Sequence, residues 1–443
     1  MVTSNTPILN PTTREPEGVD SYPEYPALWP LLKIGVVSDA QSFASPAWDA
    51  AEAAQKTVTV ALIDTSVAWE NPCLYDAVDR ARLADFSVDP EGVFPVPDAA
   101  LTPPELAQRQ ALPAAAQLPQ APERAAVRGA FSGHGTAMAG LIGGRPPASG
   151  IRLHRPARYA GQPASSTIED LPFAGVNPYC RIVPISTTSE PNPVVLKNAF
   201  TYAQSIGADV IVFATALEPV FPPAGGIPAP DANSAPALDA DLAIDAAVQS
   251  AWQALDDKIR EIGQQTHIVC AAGNTGETAP TYPARLSDPT NLIVSVGALT
   301  SEGGLAPYST AEADVYAPSG DAGRLDREAV RLDPYSFKPF GLPANASGGE
   351  EVSFLDLIST DVPGPFGYNP SPHEWEPRAA DLHLDLGSLF CRFSGTSGAT
   401  AIAGGLIALA LQLQETVTVP KKAAGAPPAL LTIADLWSAA PQS

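Results

Sequence analysis

The sequence predicts an α/β fold with a mostly parallel central sheet and helices on both faces. Two observations lead there. Short apolar runs rich in β-branched residues alternate along the chain with stretches of helical period. Near the carboxyl end, Phe393–Leu411 is a long, almost uncharged run of small and aliphatic residues that reads as a helix buried in the core.

Residues 1–30 are polar and proline-rich and are expected to lie extended on the surface. Ala44–Ala54 reads as a short helix carrying Trp48. Thr57–Ile63, TVTVALI, is a strand that ends at Asp64 and is followed by small, polar Thr65 and Ser66. A parallel sheet presents reactive groups this way, at its carboxyl edge. Residues 84–130 hold many Pro, Ala and Gln with little period and read as a surface insertion with a short helix around Glu105–Ala111. It ends at Phe131-Ser132-Gly133-His134-Gly135-Thr136, where small residues flank a reactive side chain at a helix start. Arg181–Ile185 is a short strand containing Pro184. Val195–Ile206 is amphipathic, with Ala199, Tyr202, Ala203 and Ile206 on one face and Gly207 closing it. Ala208–Phe213 is a buried strand, and a second proline-rich insertion covers 218–240. Ile244, Val248, Trp252, Leu255, Ile259 and Ile262 recur in steps of three and four residues, a helix ended by Gly263. His267–Ala272 is the next strand and delivers Gly273-Asn274-Thr275-Gly276. Leu292–Val296 and Asp314–Ala317 are further strands, and 319–390 is the longest irregular section. Ser394-Gly395-Thr396 then turns into the final helix, expected to start near Ser397.

A chain of 443 residues with 45% hydrophobic content can bury a sizeable core, as one large α/β domain or two ordinary ones. Its net charge of −23 argues against a nucleic-acid backbone or an anionic membrane as partner. No strongly apolar run reaches the roughly 18 residues of a membrane span; Phe393–Leu411 comes nearest, and its Gly, Ser and Thr suit a protein core. Cys73, Cys180, Cys270 and Cys391 form no CxxC pair and no zinc spacing, so buried reduced thiols are expected. The first residues lack a basic stretch followed by an apolar one, so no secretory signal is read and a cytoplasmic location is expected; export by another route is the competing reading.

Asp64, His134, Asn274 and Ser397 all fall at strand ends or helix starts. Taken singly, each has an ordinary reading: a turn-capping aspartate, a structural histidine, a turn asparagine, a capped core helix. Together they suit acyl transfer. A serine is a poor nucleophile until a base takes its proton, histidine has the pKa for that, and a buried carboxylate fixes its tautomer. A side-chain amide donates to the oxyanion formed on the attacked carbonyl. A helix start adds unpaired N–H groups and a partial positive charge beside the serine. Gly395 and Gly398 leave room for another backbone to approach.

In that order these residues resemble the subtilisin-like serine proteases, the subtilases. Asp64-Thr65-Ser66 is similar to the family's aspartate block and Gly133-His134-Gly135-Thr136 to its histidine block. Ala271-Ala272-Gly273-Asn274 resembles the oxyanion segment, and Gly395-Thr396-Ser397-Gly398-Ala399-Thr400-Ala401 the serine block. Gly175-Val176-Asn177-Pro178, Tyr282-Pro283-Ala284, Val294-Ser295-Val296-Gly297-Ala298 and Ala317-Pro318 fall in family order, so the likeness covers roughly 44–437. It implies a subtilisin-like three-layer fold over 44–443, after a proline-rich extension at 1–43, with insertions near 84–130, 218–240 and 319–390. It further implies a serine endopeptidase with Ser397 as nucleophile, His134 as base, Asp64 as its orienting carboxylate and Asn274 in the oxyanion hole. Substrate would pair with Ala214, Thr215 and Ala216 and place its P1 side chain near Ala271, Ala272 and Gly273.

The sequence departs from the family's pattern at three places. Ser66 stands where a glycine is usual, Ala401 where the serine helix has proline, and Ala214-Thr215-Ala216 where Ser-Leu-Gly is usual. None removes a catalytic atom. Family members often bind calcium, but no acidic loop here matches such a site, and no cofactor is expected. The stretch before the first match is too short and too proline-rich for the family's folding pro-domain. Restraint is therefore expected from the insertions acting as lids or from a regulatory protein partner. Two alternatives to hydrolysis stay open: a peptide ligase or cyclase sharing the same acyl-enzyme, and a catalytically silent binding protein on the same fold.

Overall fold

The computed structural model describes residues 28–38, 44–121, 132–145, 173–217, 246–276, 278–320, 356–364, 366–368 and 389–438, and the backbone of 151–155 and 165–169. Most of the insertions expected at 218–240 and 319–390, the tail of the one at 84–130, and residues 1–27 lie outside the described residues.

The elements follow in order. Helices α1 (Trp29–Lys33) and α2 (Pro46–Ala54) precede strands β1 (Thr59–Asp64) and β2 (Ala84–Asp85). Helices α3 (Pro103–Gln110) and α4 (Gly133–Gly143), strands β3 (Ile151–Arg155), β4 (Ser165–Glu169) and β5 (Arg181–Ser186), helix α5 (Pro193–Ser205) and strand β6 (Val210–Phe213) come next. Helix α6 (Ala246–Ile262) leads to β7 (His267–Ala271), β8 (Ile293–Leu299), β9 (Val315–Pro318), β10 (Leu357–Thr360) and β11 (Phe390–Phe393). Helices α7 (Gly395–Leu413) and α8 (Ile433–Leu436) close the described chain.

Seven strands form one sheet in the order β2-β5-β1-β6-β7-β8-β9, every neighbouring pair parallel. β3 with β4, and β10 with β11, make two small antiparallel pairs. The alternation of side chains along each strand sorts the core into two layers. Val60 and Leu62 of β1, Val210 and Val212 of β6, and Val269 and Ala271 of β7 face α2, α4 and α7. Ala61 and Ile63, Ile211 and Phe213, and Ile268 and Cys270 face α5 and α6. The fold is thus α/β in three layers. β5 lies on one side of β1 and β6 on the other, so the strand order reverses across β1. In open α/β sheets such a reversal opens a crevice at the carboxyl ends of the strands.

Helix α7 is the one described helix long and apolar enough to cross a membrane, and it lies inside the protein, between the sheet and α4. Its glycines explain how. A Cβ at Gly404 would stand 2.5 Å from Val212 of β6, and one at Gly405 2.8 Å from the Val176 side chain and 3.0 Å from the Ile142 carbonyl of α4. Small residues thus allow contact on two sides of the helix at once. At its far end Lys56 Nζ donates to the Leu411 carbonyl at 2.6 Å, satisfying an orphan acceptor at the negative end of the helix dipole.

Two expectations are corrected. Residues 28–30, the end of the stretch expected to lie extended on the surface, and the residues that follow to 37 fold into α1 and its turn and bury Trp29, Leu31, Ile34, Val36 and Val37. The Ile433 N–H donates to the Ile34 carbonyl at 2.9 Å, so this segment packs with the carboxyl end and the core begins before residue 44. Residues 84–121, read as a surface insertion, add β2 to the sheet edge and bury Phe86, Phe94, Leu112 and Ala116. The predicted helix there is α3, begun by a Thr102/Glu105 capping box. Smaller shifts are at element ends. The helix at 246–262 leaves Val248 40% exposed, and α7 starts at Gly395 rather than near Ser397. The four cysteines are buried and unpaired.

Replacing Gly405 with Val forces a branched side chain against the α4 backbone. It should lower unfolding free energy by about 1–3 kcal/mol, measured by urea denaturation. Gly304→Ala, whose Cβ meets only Thr300 Oγ1 at 3.7 Å, serves as the near-neutral control.

Candidate active site

Asp64 is the last residue of β1, and strand parity puts its side chain on the face of Val60 and Leu62, under α4. It is 2% exposed. Its Oδ1 accepts the Thr65 N–H at 2.7 Å and the Thr65 hydroxyl at 3.2 Å. His134, the second residue of α4, brings Nδ1 to within 2.8 Å of Oδ1 and 3.0 Å of Oδ2. A carboxylate only accepts, so Nδ1 carries a proton, and in the neutral imidazole Nε2 keeps its lone pair. The imidazole is 28% exposed, and its ring meets Phe393 edge-on at 5.3 Å.

Glycine makes this approach possible. A Cβ at Gly135 would lie 2.5 Å from the Thr65 carbonyl oxygen and 2.7 Å from that of Ser66. Instead the Gly135 N–H donates to Thr65 Oγ1 at 2.9 Å, and Thr136 Oγ1 accepts the Ala68 N–H at 2.8 Å. The aspartate and histidine motifs are therefore two halves of one interlocked turn.

Asn274 follows β7 through Gly273, whose φ of +122° is one that side-chain-bearing residues rarely adopt. Its Oδ1 accepts the Thr396 N–H at 2.7 Å and the Thr396 hydroxyl at 2.9 Å. The backbone N–H can only donate, so the amide oxygen must face it, which fixes which end of the amide carries the NH₂. Among the described residues that NH₂ has no hydrogen-bond partner. Ser397, 6% exposed, stands in the first turn of α7, where N–H groups lack intrahelical acceptors. Its Oγ lies 3.5 Å from the Ala214 carbonyl oxygen.

Direct contacts thus join Asp64 to His134, Asn274 to the residue before Ser397, and Ser397 to Ala214. The other expected substrate contacts differ among themselves. Thr215 is half-buried and Ala216 exposed, and among the described residues no backbone group pairs with either before the Leu217 N–H donates to the Tyr282 carbonyl at 3.0 Å. Ala271, Ala272 and Gly273 are buried. The Ala272 carbonyl already accepts the Thr281 N–H and the Thr310 hydroxyl, both at 2.9 Å, so its backbone is committed to the fold. Burial raises the pKa of all four thiols, Cys180 to about 12, which keeps them protonated. Among the described residues no three His, Cys, Asp or Glu side chains converge as a metal-ligand set.

Sequence reasoning missed Tyr308. Its hydroxyl accepts the Gly395 N–H at 3.1 Å and donates to the Gly320 carbonyl at 2.8 Å, holding the turn that aims Ser397. No local pattern marks it, because its partner lies far along the chain. Tyr308→Phe would leave a buried donor and an acceptor unmatched. A loss of about 1–3 kcal/mol is expected, read as a lower urea midpoint; unchanged stability would mean that the turn is held by other groups.

A profile of the subtilase family matches residues 55–424, and no curated protein matches the chain. Among solved structures the chain is similar to the nisin leader peptidase NisP from Lactococcus lactis, with 14% identity, 94% of each chain covered and a TM-score of 0.49. It is similar to fervidolysin from Fervidobacterium pennivorans, a keratinolytic enzyme related to subtilisin, with 19% identity over 93% of this chain and 42% of that one and a TM-score of 0.44. The serine protease of Aeromonas sobria shows 18% identity over 82% of this chain and a TM-score of 0.44; the match spans only 48% of that protein's length. A family match over residues 55–424, on a parallel α/β sheet with helices on both faces, makes this chain a member of the subtilase family of serine-type peptidases.

Proposed function

We propose that the protein is a serine endopeptidase that cleaves peptide bonds through an acyl-enzyme on Ser397. The observation that carries the reading is the double contact between Asp64 and His134 Nδ1, because it leaves Nε2 as the only ring nitrogen able to take a proton. In this reading Nε2 removes the Ser397 hydroxyl proton as Oγ attacks the scissile carbonyl. The Asp64 carboxylate stabilises the imidazolium that results. Negative charge then develops on the carbonyl oxygen, and the Asn274 NH₂ and the Ser397 N–H are the donors that meet it. The imidazolium next gives its proton to the departing amine. Water attacks the acyl-enzyme by the same route, with His134 again as base.

The acyl half of the substrate would lie extended along Ala214–Ala216, adding a strand beyond β6, with its P1 side chain toward Ala271–Gly273. Among the described residues no backbone group pairs with Thr215 or Ala216, which supports that placement. We assign the restraint of such a protease to the segments around the cleft or to a partner protein.

Peptide cleavage, followed by mass spectrometry of the products, and labelling by a fluorophosphonate test the assignment together. Ser397→Ala and His134→Ala should abolish turnover, with unchanged circular dichroism. Asp64→Asn should cost about 10⁴-fold in rate by favouring the wrong tautomer. Asn274→Ala should lower kcat by roughly 10²–10³-fold with little change in KM. Cleavage by Ser397→Ala at the wild-type rate would overturn the mechanism, and joined rather than hydrolysed products would make the enzyme a ligase.

A further inference from the structure

Beside His134 the chain builds an aromatic wall that the acyl-transfer steps do not use. After β10 come residues 361–364 and 366–368, which form a loop. Asp361 is fully buried, and its Oδ1 accepts the N–H groups of Val362 at 2.8 Å and Tyr368 at 3.0 Å, so one oxygen ties both ends of the loop. A Cβ at Gly367 would collide with that carboxylate, and Gly364, at φ +91°, makes the turn. Asn71 donates to the carbonyls of Asp361 at 2.9 Å and Leu389 at 3.0 Å, which fastens the loop to the start of β11. Residues 361–364 are buried, yet Phe366 emerges 51% exposed.

The loop is not a remote ornament. The Tyr368 ring passes 3.5 Å from where a Gly133 Cβ would stand, next to His134. It also lies 6.3 Å from the Phe393 ring, which itself meets the His134 ring. Tyr368, Phe393 and His134 therefore form one continuous ring cluster, and exposed Phe366 lies two residues before Tyr368 in the chain. The Ala214 carbonyl lies by Ser397 on another element, β6 and its extension, so the histidine flank and the acyl flank are built from different parts of the fold. Proton transfer to the departing amine requires that the leaving half of a substrate pass His134. A loop already fastened at both ends gives up little conformational entropy when a side chain packs on it.

We propose that residues 361–364 and 366–368 form the specificity wall for the leaving half of a peptide substrate, with Phe366 and Tyr368 packing on an apolar side chain just after the scissile bond. The inference rests on the acyl-transfer reading above and names the substrate class of that site's second half.

The test uses internally quenched peptides that share one acyl half and carry Leu, Phe, Gly or Asp at the first two positions after the scissile bond. Wild type should prefer Leu and Phe. Phe366→Ala should shrink the Leu-to-Gly ratio of kcat/KM by roughly tenfold, the effect of losing about 1.4 kcal/mol of apolar contact, mainly through KM. Phe366→Leu should restore most of the ratio. A wild-type ratio near one, or a Phe366→Ala loss equal for Leu and Gly peptides, would overturn the wall while leaving the mechanism standing. Fluorophosphonate labelling of wild-type Ser397 separates the two readings: without labelling and without cleavage both fall, and with labelling the peptide ratios decide the wall alone.

Discussion

Burial of α7 is the constraint on which the rest of the structure depends. A helix sunk between a sheet and another helix cannot be placed by amphipathicity, since it has no wet face over most of its length. It is placed by contact distance, and contact distance here is set by missing side chains. Gly404 lets β6 approach, Gly405 lets α4 approach, and Gly398 does the same for Leu357 of β10. Interiors pack at crystal-like density, so a helix seated this closely has little freedom to shift or rotate. Its amino end, with Ser397 in the first turn, inherits that rigidity.

From this seat the polar contacts spread along the carboxyl edge of the sheet. Thr396 locks the Asn274 amide, Tyr308 holds Gly395, and Ser319 Oγ donates to the Gly395 carbonyl at 2.8 Å. On the α4 side the same task falls to Thr65 and Thr136, whose hydroxyls bind backbone groups of the facing turn. Threonine recurs because a short hydroxyl both donates and accepts next to the backbone, where helix starts leave N–H groups unmatched. Thr136 and Thr400 also donate back to the carbonyls of Ser132 at 2.6 Å and Thr396 at 2.7 Å, stiffening the first turns that carry the histidine and the serine. Preorganisation of this kind is what charge stabilisation in a transition state requires, since donors already in place need not reorganise.

Much of this was legible beforehand. Strand periodicity marked β1, β5, β6, β7, β8 and β9 within two residues at most ends, because strands buried on both faces must be apolar throughout. The motif residues were legible for a related reason: Gly beside His134 and Ser397 is costly unless another backbone must come close. The end of the stretch at 1–30 and the segment at 84–121 were misread because proline-rich, aperiodic sequence also serves where a chain packs irregularly against a finished core. Trp29 and Phe94 bury themselves without any repeating pattern to announce it.

By itself, then, the sequence determined the α/β class, the alternation of elements and the four residues proposed for acyl transfer. Each of those depends on local spacing and residue chemistry. Only the tertiary structure decided the order β2-β5-β1-β6-β7-β8-β9, the His134 tautomer set by Asp64, the orientation of the Asn274 amide and the hold of Tyr308 on Gly395. These depend on which groups meet across long stretches of chain, and hydrogen-bond geometry between such groups is fixed by packing rather than by any pattern a sequence displays.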